Sequence, residues 1–193
     1  MHRILSDSHW RSRILRIDGI PEASVYREVP LDGLGAQGDI DILVSESAIP
    51  ECATGIQVKR VKVSANTFQT GKPNRVSALP ELHRQANLLV QLGFWQVFSY
   101  VLVVVDSRAQ NKGAFTFEGL TNELRRTISN AISSGGLHTH AGLIEFELAQ
   151  PMDDYPLGTG TFFSRIHRMP TPTPQSEAVT KWLRKTAGNF IRA

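Results

Sequence analysis

The chain has 193 residues, an apolar fraction of 41% and a single cysteine, Cys52. A core of ordinary size can form without staples, an intrachain disulfide is excluded, and a reducing cytoplasm fits best. The start, "MHRILSDSHWRSRILRIDG", scatters charge and has no apolar h-region, so it does not read as a signal peptide; the run "YVLVVV" is too short to span a bilayer, which excludes a membrane helix there.

A formal net charge of +3 hides an uneven distribution. From Asp18 to Ala53 there are eight acidic residues and one basic, Arg27; from Thr54 to Lys112 there are eight basic and two acidic, Glu81 and Asp106. An acidic patch beside a basic belt suits a metal-dependent enzyme acting on phosphates. Two differently solvated faces would give the same count.

In chain order, residues 2–17 set Ile4, Leu5, Ile14, Leu15 and Ile17 among arginines, which predicts a first helix. "GIPEAS" reads as a turn, "SVYREVPL" as a first strand and "DIDILVSE" as a second. "SAIPECATG" is expected to be a connecting loop, "IQVKRVKVS" a third strand, and "ANTFQTGKPNRVSALP" an exposed loop. Pro80 can begin a helix whose face carries Leu82, Ala86, Leu89 and Val90, and Gly93 can end it. "VFSYVLVVVD" is a strand covered on both faces. "FEGLTNELRRTISNAISSGG" spaces Leu120, Leu124, Ile128 and Ala131 as a helix, and "AGLIEFELAQ" alternates as a final strand. This order predicts an α/β fold, a sandwich with a central mixed β-sheet flanked by helices. Residues 1–168 form that domain, 169–176 a proline-stiffened linker, and 177–193 a short basic C-terminal helix.

Two of the predicted strands carry charge that buried sheet normally excludes. Side chains alternate along a strand, so Asp39 and Asp41 share a face, as do Gln57 and Lys59. If the polar faces coincide, Asp41, Gln57 and Lys59 converge. Asp41 then offers a hard anionic oxygen to Mg²⁺ or Mn²⁺, Gln57 a neutral amide oxygen, and Val58 a main-chain carbonyl. Lys59 supplies a point charge to orient water and steady charge on a scissile phosphate. An exposed hairpin with Asp41 opposite Lys59 as a plain ion pair is the blander alternative.

At "GDIDILV" followed by "GIQVKR" the chain resembles the PD-(D/E)XK nuclease superfamily, closest to the Mrr-like restriction endonucleases, in which a "G-I-D" strand precedes a "Q-x-K" strand. The resemblance covers roughly residues 24–106. It implies a restriction-endonuclease-like three-layer sandwich, with Asp41 as the first motif and Gln57 and Lys59 as the second. Members often add an acid ahead of the aspartate strand; Glu28, with Glu22 behind it, is the candidate here. Asp39 is either a second metal ligand or an exposed strand-edge charge.

The implied function is Mg²⁺-dependent hydrolysis of DNA phosphodiester bonds, as the effector of a restriction or anti-phage defence system. Arg60 and Lys62 on the third strand, Lys72 and Arg75 in the following loop, and Arg84 and Gln85 on the helix are candidate nucleic-acid contacts. Cutting two strands with one site per chain implies a homo-oligomer or partner subunits. Two other readings stay open: a non-catalytic nucleic-acid-binding or assembly subunit that keeps the fold, and a small-molecule enzyme using Asp39 and Asp41 as acid and base. His138 and His140 lack further ligands nearby and read as surface residues. Phe94, Trp95 and Phe98 read as packing aromatics. No P-loop, dinucleotide fingerprint or serine nucleophile elbow is found.

Overall fold

Alternating apolar side chains lay six strands side by side in the computed structural model, which describes residues 25–46, 49–106, 120–133, 136–150 and 161–193. The strands are β1 (Val25–Pro30), β2 (Asp39–Glu46), β3 (Ile49–Val63), β4 (Gln96–Asp106), β5 (Gly142–Gln150) and β6 (Thr161–Arg168), and the sheet order is the chain order. β1, β2 and β3 form an antiparallel meander. β3, β4 and β5 run parallel, and β6 returns antiparallel on β5. The helices are α1 (Ala65–Thr70), α2 (Leu79–Leu92), α3 (Asn122–Ser133) and α4 (Glu177–Thr186). A mixed sheet with helices in the parallel crossovers is an α/β fold.

The period of two in β4 decides the layering. Val97, Val101, Val103 and Val105 pack toward the helices, while Phe98, Tyr100 and Leu102 face the other way. On the helical side, α2 contributes Leu79, Leu82, Ala86 and Leu89, and α3 contributes Leu124, Ile128 and Ile132. These spacings of three and four put one apolar stripe on each helix. On the opposite face Ile42, Ile56, Tyr100, Ile144 and Phe146 are equally buried, although no described helix contributes to that cluster. The sheet is thus covered on both faces, consistent with a three-layer sandwich. The helix expected over 2–17 lies outside the described residues. No described helix is long and apolar enough to cross a membrane.

The predicted ends of α2 are observed: Pro80 sits in its first turn, and Gly93, at φ 84°, closes it. Five expectations need correction, the fifth being the extent of the C-terminal helix. The stretch expected to be a connecting loop, "SAIPECATG", is mostly strand, because β3 begins at Ile49. The loop expected after β3 contains α1, opened by a reciprocal Ser64–Thr67 capping box, and a 3-10 turn at Val76–Ala78. "AGLIEFELAQ" is not the last strand, since β6 follows it. The expected linker is bound along its length: the Thr171 N–H donates to the His140 carbonyl, Thr173 to Trp95 and Ser176 to Gly93.

Helix α4 ends at Thr186, short of the expected 193, and buries Val179, Trp182 and Leu183 among Tyr26, Leu43, Ala53 and Phe94. Burying such side chains stabilises by about 1.5–3 kcal/mol each. The chain end then runs beside β1, where the Arg27 N–H donates to the Ile191 carbonyl and the Ala193 N–H to Val25. The C-terminal segment is therefore part of the main core.

Candidate active site

Pairing between β2 and β3 runs through Val44–Thr54, Leu43–Gly55 and Ile42–Ile56. Beyond Ile42–Ile56 the connection passes to side chains. The Val58 N–H donates to Asp41 Oδ2 at 2.7 Å, and Gln57 Nε2 donates to the Asp39 main-chain carbonyl at 2.7 Å. Continuing the register sets Asp41 opposite Gln57. The N–H and C=O of one strand residue point the same way, so the Val58 carbonyl also turns toward β2.

These polar groups lie on the helical face. Gly55, two residues before Gln57, is packed so closely under α2 that a Cβ would come within 2.9 Å of Leu89. Gln57 is 2% exposed, and Lys59, next on the same face, is half-buried. A pocket of 130 Å³ opens here, lined by Asp39, Gln57, Arg84, Gln85, Leu31 and Leu88. Ser99, opposite Gln57 in the β3–β4 register, is fully buried, and its Oγ has no hydrogen-bond partner among the described residues.

Burial pushes the Asp41 carboxyl above the usual carboxylate range, and the Val58 N–H opposes it. Asp39 and Glu28 add like charge that raises it further, while Lys59 pulls it down. Asp39, Lys59 and Glu28 are therefore each within electrostatic reach of Asp41. Glu28 is exposed and holds φ +50°, a left-handed conformation uncommon for a side-chain-bearing residue. It sits between the Arg27–Ile42 and Val29–Ile40 pairs, alongside Asp41.

The candidate nucleic-acid residues divide. Arg84 and Gln85 border the pocket. Arg60 and Lys62 are exposed and face away from it, opposite Leu102 and Val104 on β4. Lys72 and Arg75 are exposed in a loop tied to the far end of β3 by the Asn74 N–H donating to the Lys62 carbonyl. Glu22 lies outside the described residues. His138 and His140 are exposed neighbours, and the His138 Nδ1 accepts the His140 N–H. Among the described residues no group of three or more His, Cys, Asp or Glu side chains is arranged to hold a metal ion.

Sequence reasoning missed Glu81. It binds Arg84 through two hydrogen bonds, 2.8 Å to Nε and 2.6 Å to Nη2, and lies within electrostatic reach of Lys59. The Arg84 hydrogen bond holds the Glu81 carboxyl below its usual value. Its place in the first turn of α2, where acids favour the helix dipole, disguises it as an ordinary cap residue. A second buried polar group also escaped notice. Glu145 contacts His167 at 3.0 Å; Glu147 accepts the Leu120 N–H and contacts Arg125 at 3.3 Å, tying β5 to β6 and α3.

Compared with protein-family models, with curated proteins and with solved structures, the chain matches none. Its chemistry must be read from the geometry. The helical face carries a half-buried carboxylate at Asp41, a buried amide at Gln57 and a half-buried ammonium at Lys59.

Proposed function

We propose that the chain is a metal-dependent nuclease with a restriction-endonuclease-like core, hydrolysing DNA phosphodiester bonds. The observation that carries this reading is the double side-chain bridge from β2 to β3, in which Asp41 accepts the Val58 N–H and Gln57 donates to the Asp39 carbonyl, with Lys59 within electrostatic reach of Asp41. The sequence resemblance to the Mrr-like endonucleases points the same way.

The residues fit Mg²⁺ or Mn²⁺. Asp41 is half-buried and feels the like charges of Asp39 and Glu28, an arrangement that a divalent cation relieves. Asp41 Oδ1, the Gln57 amide oxygen and the Val58 carbonyl are the donors left after the two bridging bonds. One carboxylate with neutral oxygens suits Mg²⁺, which keeps several waters and takes substrate phosphate oxygens. When bound, the cation lowers the pKa of a coordinated water and withdraws charge from the phosphate. Lys59 offers its ammonium to the negative charge that builds on the scissile group. Arg84, held by Glu81, and Gln85 approach the strand from α2.

Purified protein with Mg²⁺ or Mn²⁺ should nick or degrade plasmid, and Asp41→Ala or Lys59→Ala should abolish it. Equal cleavage by wild type and Lys59→Ala would overturn the assignment. A restriction or defence role, with target choice supplied by partner subunits or a second copy, accompanies this reading. One alternative is a non-catalytic nucleic-acid-binding or assembly subunit that keeps the fold, a reading supported by the lack, among the described residues, of a group of three or more His, Cys, Asp or Glu side chains arranged to hold a metal ion. DNA binding indifferent to EDTA, with no cleavage by any assembled complex, would select it.

A further inference from the structure

A pocket of 470 Å³ lies between β1 and the C-terminal segment, its walls including Glu28, Asp32, Trp182, Asn189, Phe190 and Ile191. Its volume is in the range of small-molecule sites and suits one base with its sugar. The aromatic wall presents half-buried Phe190 and only the 6% of Trp182 left exposed, and it is fixed from behind. The Trp182 and Phe190 rings lie 5.3 Å apart, Phe190 meets Tyr26 edge-on at 5.6 Å, and Trp182 meets Phe94 edge-on at 6.2 Å. Gly33 leaves room for the indole, since a Cβ there would come within 2.7 Å of Trp182 Nε1.

The rim is acceptor-rich. Glu28 and Asp32 are exposed carboxylates, and Asn189 adds an exposed amide. Carboxylates accept hydrogen bonds from exocyclic amino groups such as cytosine N4, and aromatic side chains stack any base. Lys185 and Arg192, adjacent in sequence to the pocket residues Thr186 and Ile191, are exposed cations suited to a phosphate backbone. Glu28 links this pocket to the candidate active site: it lines the pocket and flanks Asp41 across the β1–β2 ladder. Its left-handed backbone is the kind of local strain that gathers at functional sites.

We propose that this pocket receives one unpaired nucleobase bearing an exocyclic amine, from the strand whose phosphate lies between Asp41 and Lys59. The subsite rests on the nuclease reading and adds a substrate class to it: single-stranded or locally opened DNA. A base in a closed duplex cannot enter without leaving the stack.

The test measures binding in EDTA, where no cleavage occurs. Fluorescence anisotropy compares a short labelled oligodeoxycytidine, an abasic chain of equal length and the matching blunt duplex, with deoxycytidine monophosphate as competitor. The oligodeoxycytidine should bind about tenfold tighter than the abasic chain and tighter than the duplex. Asn189→Trp, which fills the mouth from an exposed position, should reduce it to the abasic level. Should that variant not fold, Asp32→Ala should still remove most of the preference for bases. Equal binding of base-bearing and abasic chains, or folded variants that keep the preference, overturns the proposal. Competition by the monophosphate as strong as by the oligomer also overturns it, making this a mononucleotide site. Failure of this kind with plasmid cleavage intact leaves the nuclease reading standing. Base-dependent binding by a protein that never cleaves supports the pocket and strikes the nuclease reading instead.

Discussion

Asp41 and Val58 are joined across two strands by a 2.7 Å hydrogen bond, from a main-chain N–H to a carboxylate oxygen. The side chain does the work of a ladder carbonyl, so one carboxylate fastens β2 to β3. Hydrogen bonding and burial place opposite demands on its charge. The bond favours the ionised form, burial disfavours it more strongly, and the carboxyl is raised overall.

The sign of the resulting pH dependence follows from linkage. A raised group contributes stability that is fully present below the ordinary aspartate value of 3.8 and is lost as pH rises through the folded value. Asp41→Asn keeps an acceptor oxygen for the Val58 N–H and carries no charge. In EDTA it should melt higher than wild type at neutral pH, and the advantage should shrink as the medium is acidified below the ordinary aspartate range. Thermal melts across that range check this; an asparagine variant less stable than wild type at neutral pH contradicts it.

Metal addition should reverse that order. A ligand that binds only the folded state stabilises by about 2.7 kcal/mol at a hundredfold excess over its Kd. Mg²⁺ or Mn²⁺ should therefore raise the wild-type Tm and leave Asp41→Asn unmoved. Equal shifts in the two proteins would locate cation binding elsewhere.

Lys59→Met removes the ammonium and keeps an unbranched stem. Cleavage should fall by about 10²–10³-fold or more, while oligonucleotide binding in EDTA changes far less. A parallel loss of both would make Lys59 a binding residue and nothing further.

Glu81→Gln should release Arg84 from its two-point ion pair. The freed guanidinium adds one cation to the site, so binding in EDTA should tighten several-fold at low salt. The dependence of log K on log salt should steepen by about 0.7–0.9. Arg84→Ala in the same background should cancel both changes. An unchanged salt slope would show that Arg84 does not reach the backbone.

The packing of α4 predicts ordinary core energetics for a segment that reads as an appendage. Trp182→Ala should cost about 3–5 kcal/mol, and Gly33→Ala about 1–3 kcal/mol through the overpacked indole. Denaturant unfolding in a single transition with a lower midpoint is the expected result; an unaltered midpoint for Trp182→Ala would contradict the docked arrangement.

Local information made part of this molecule legible. The alternation in "DIDILVSE" and the continuous apolar run in "VFSYVLVVVD" give β2 and nearly all of β4, and Pro80 with Gly93 gives both ends of α2, because each signal lies inside its own element. The placement of Asp41 beside Gln57 follows from side-chain alternation plus a register that the apolar partners Ile42 and Ile56 enforce. What escaped depends on distant partners. "SAIPECATG" carries a proline and a glycine and looks like a loop; Gln175, 122 residues beyond Ala53, supplies the missing acceptor that lets it run as strand. Residues 169–176 look like a spacer because nothing in their composition discloses the carbonyls of Gly93, Trp95 and His140 waiting for them. Glu81 escaped because its partners, Arg84 and Lys59, come together only when α2 is laid across β3.

The Gln175 side chain accepts the Ala53 N–H, donates to the Pro50 carbonyl and also reaches Thr180 Oγ1. During synthesis, residues 50–53 leave the ribosome long before Gln175 exists, so the nascent sheet waits with a stretch of unfinished border. A message cut short ahead of that glutamine does not yield a slightly smaller version of the same molecule. It yields a chain with an open template for strand exchange with its neighbours.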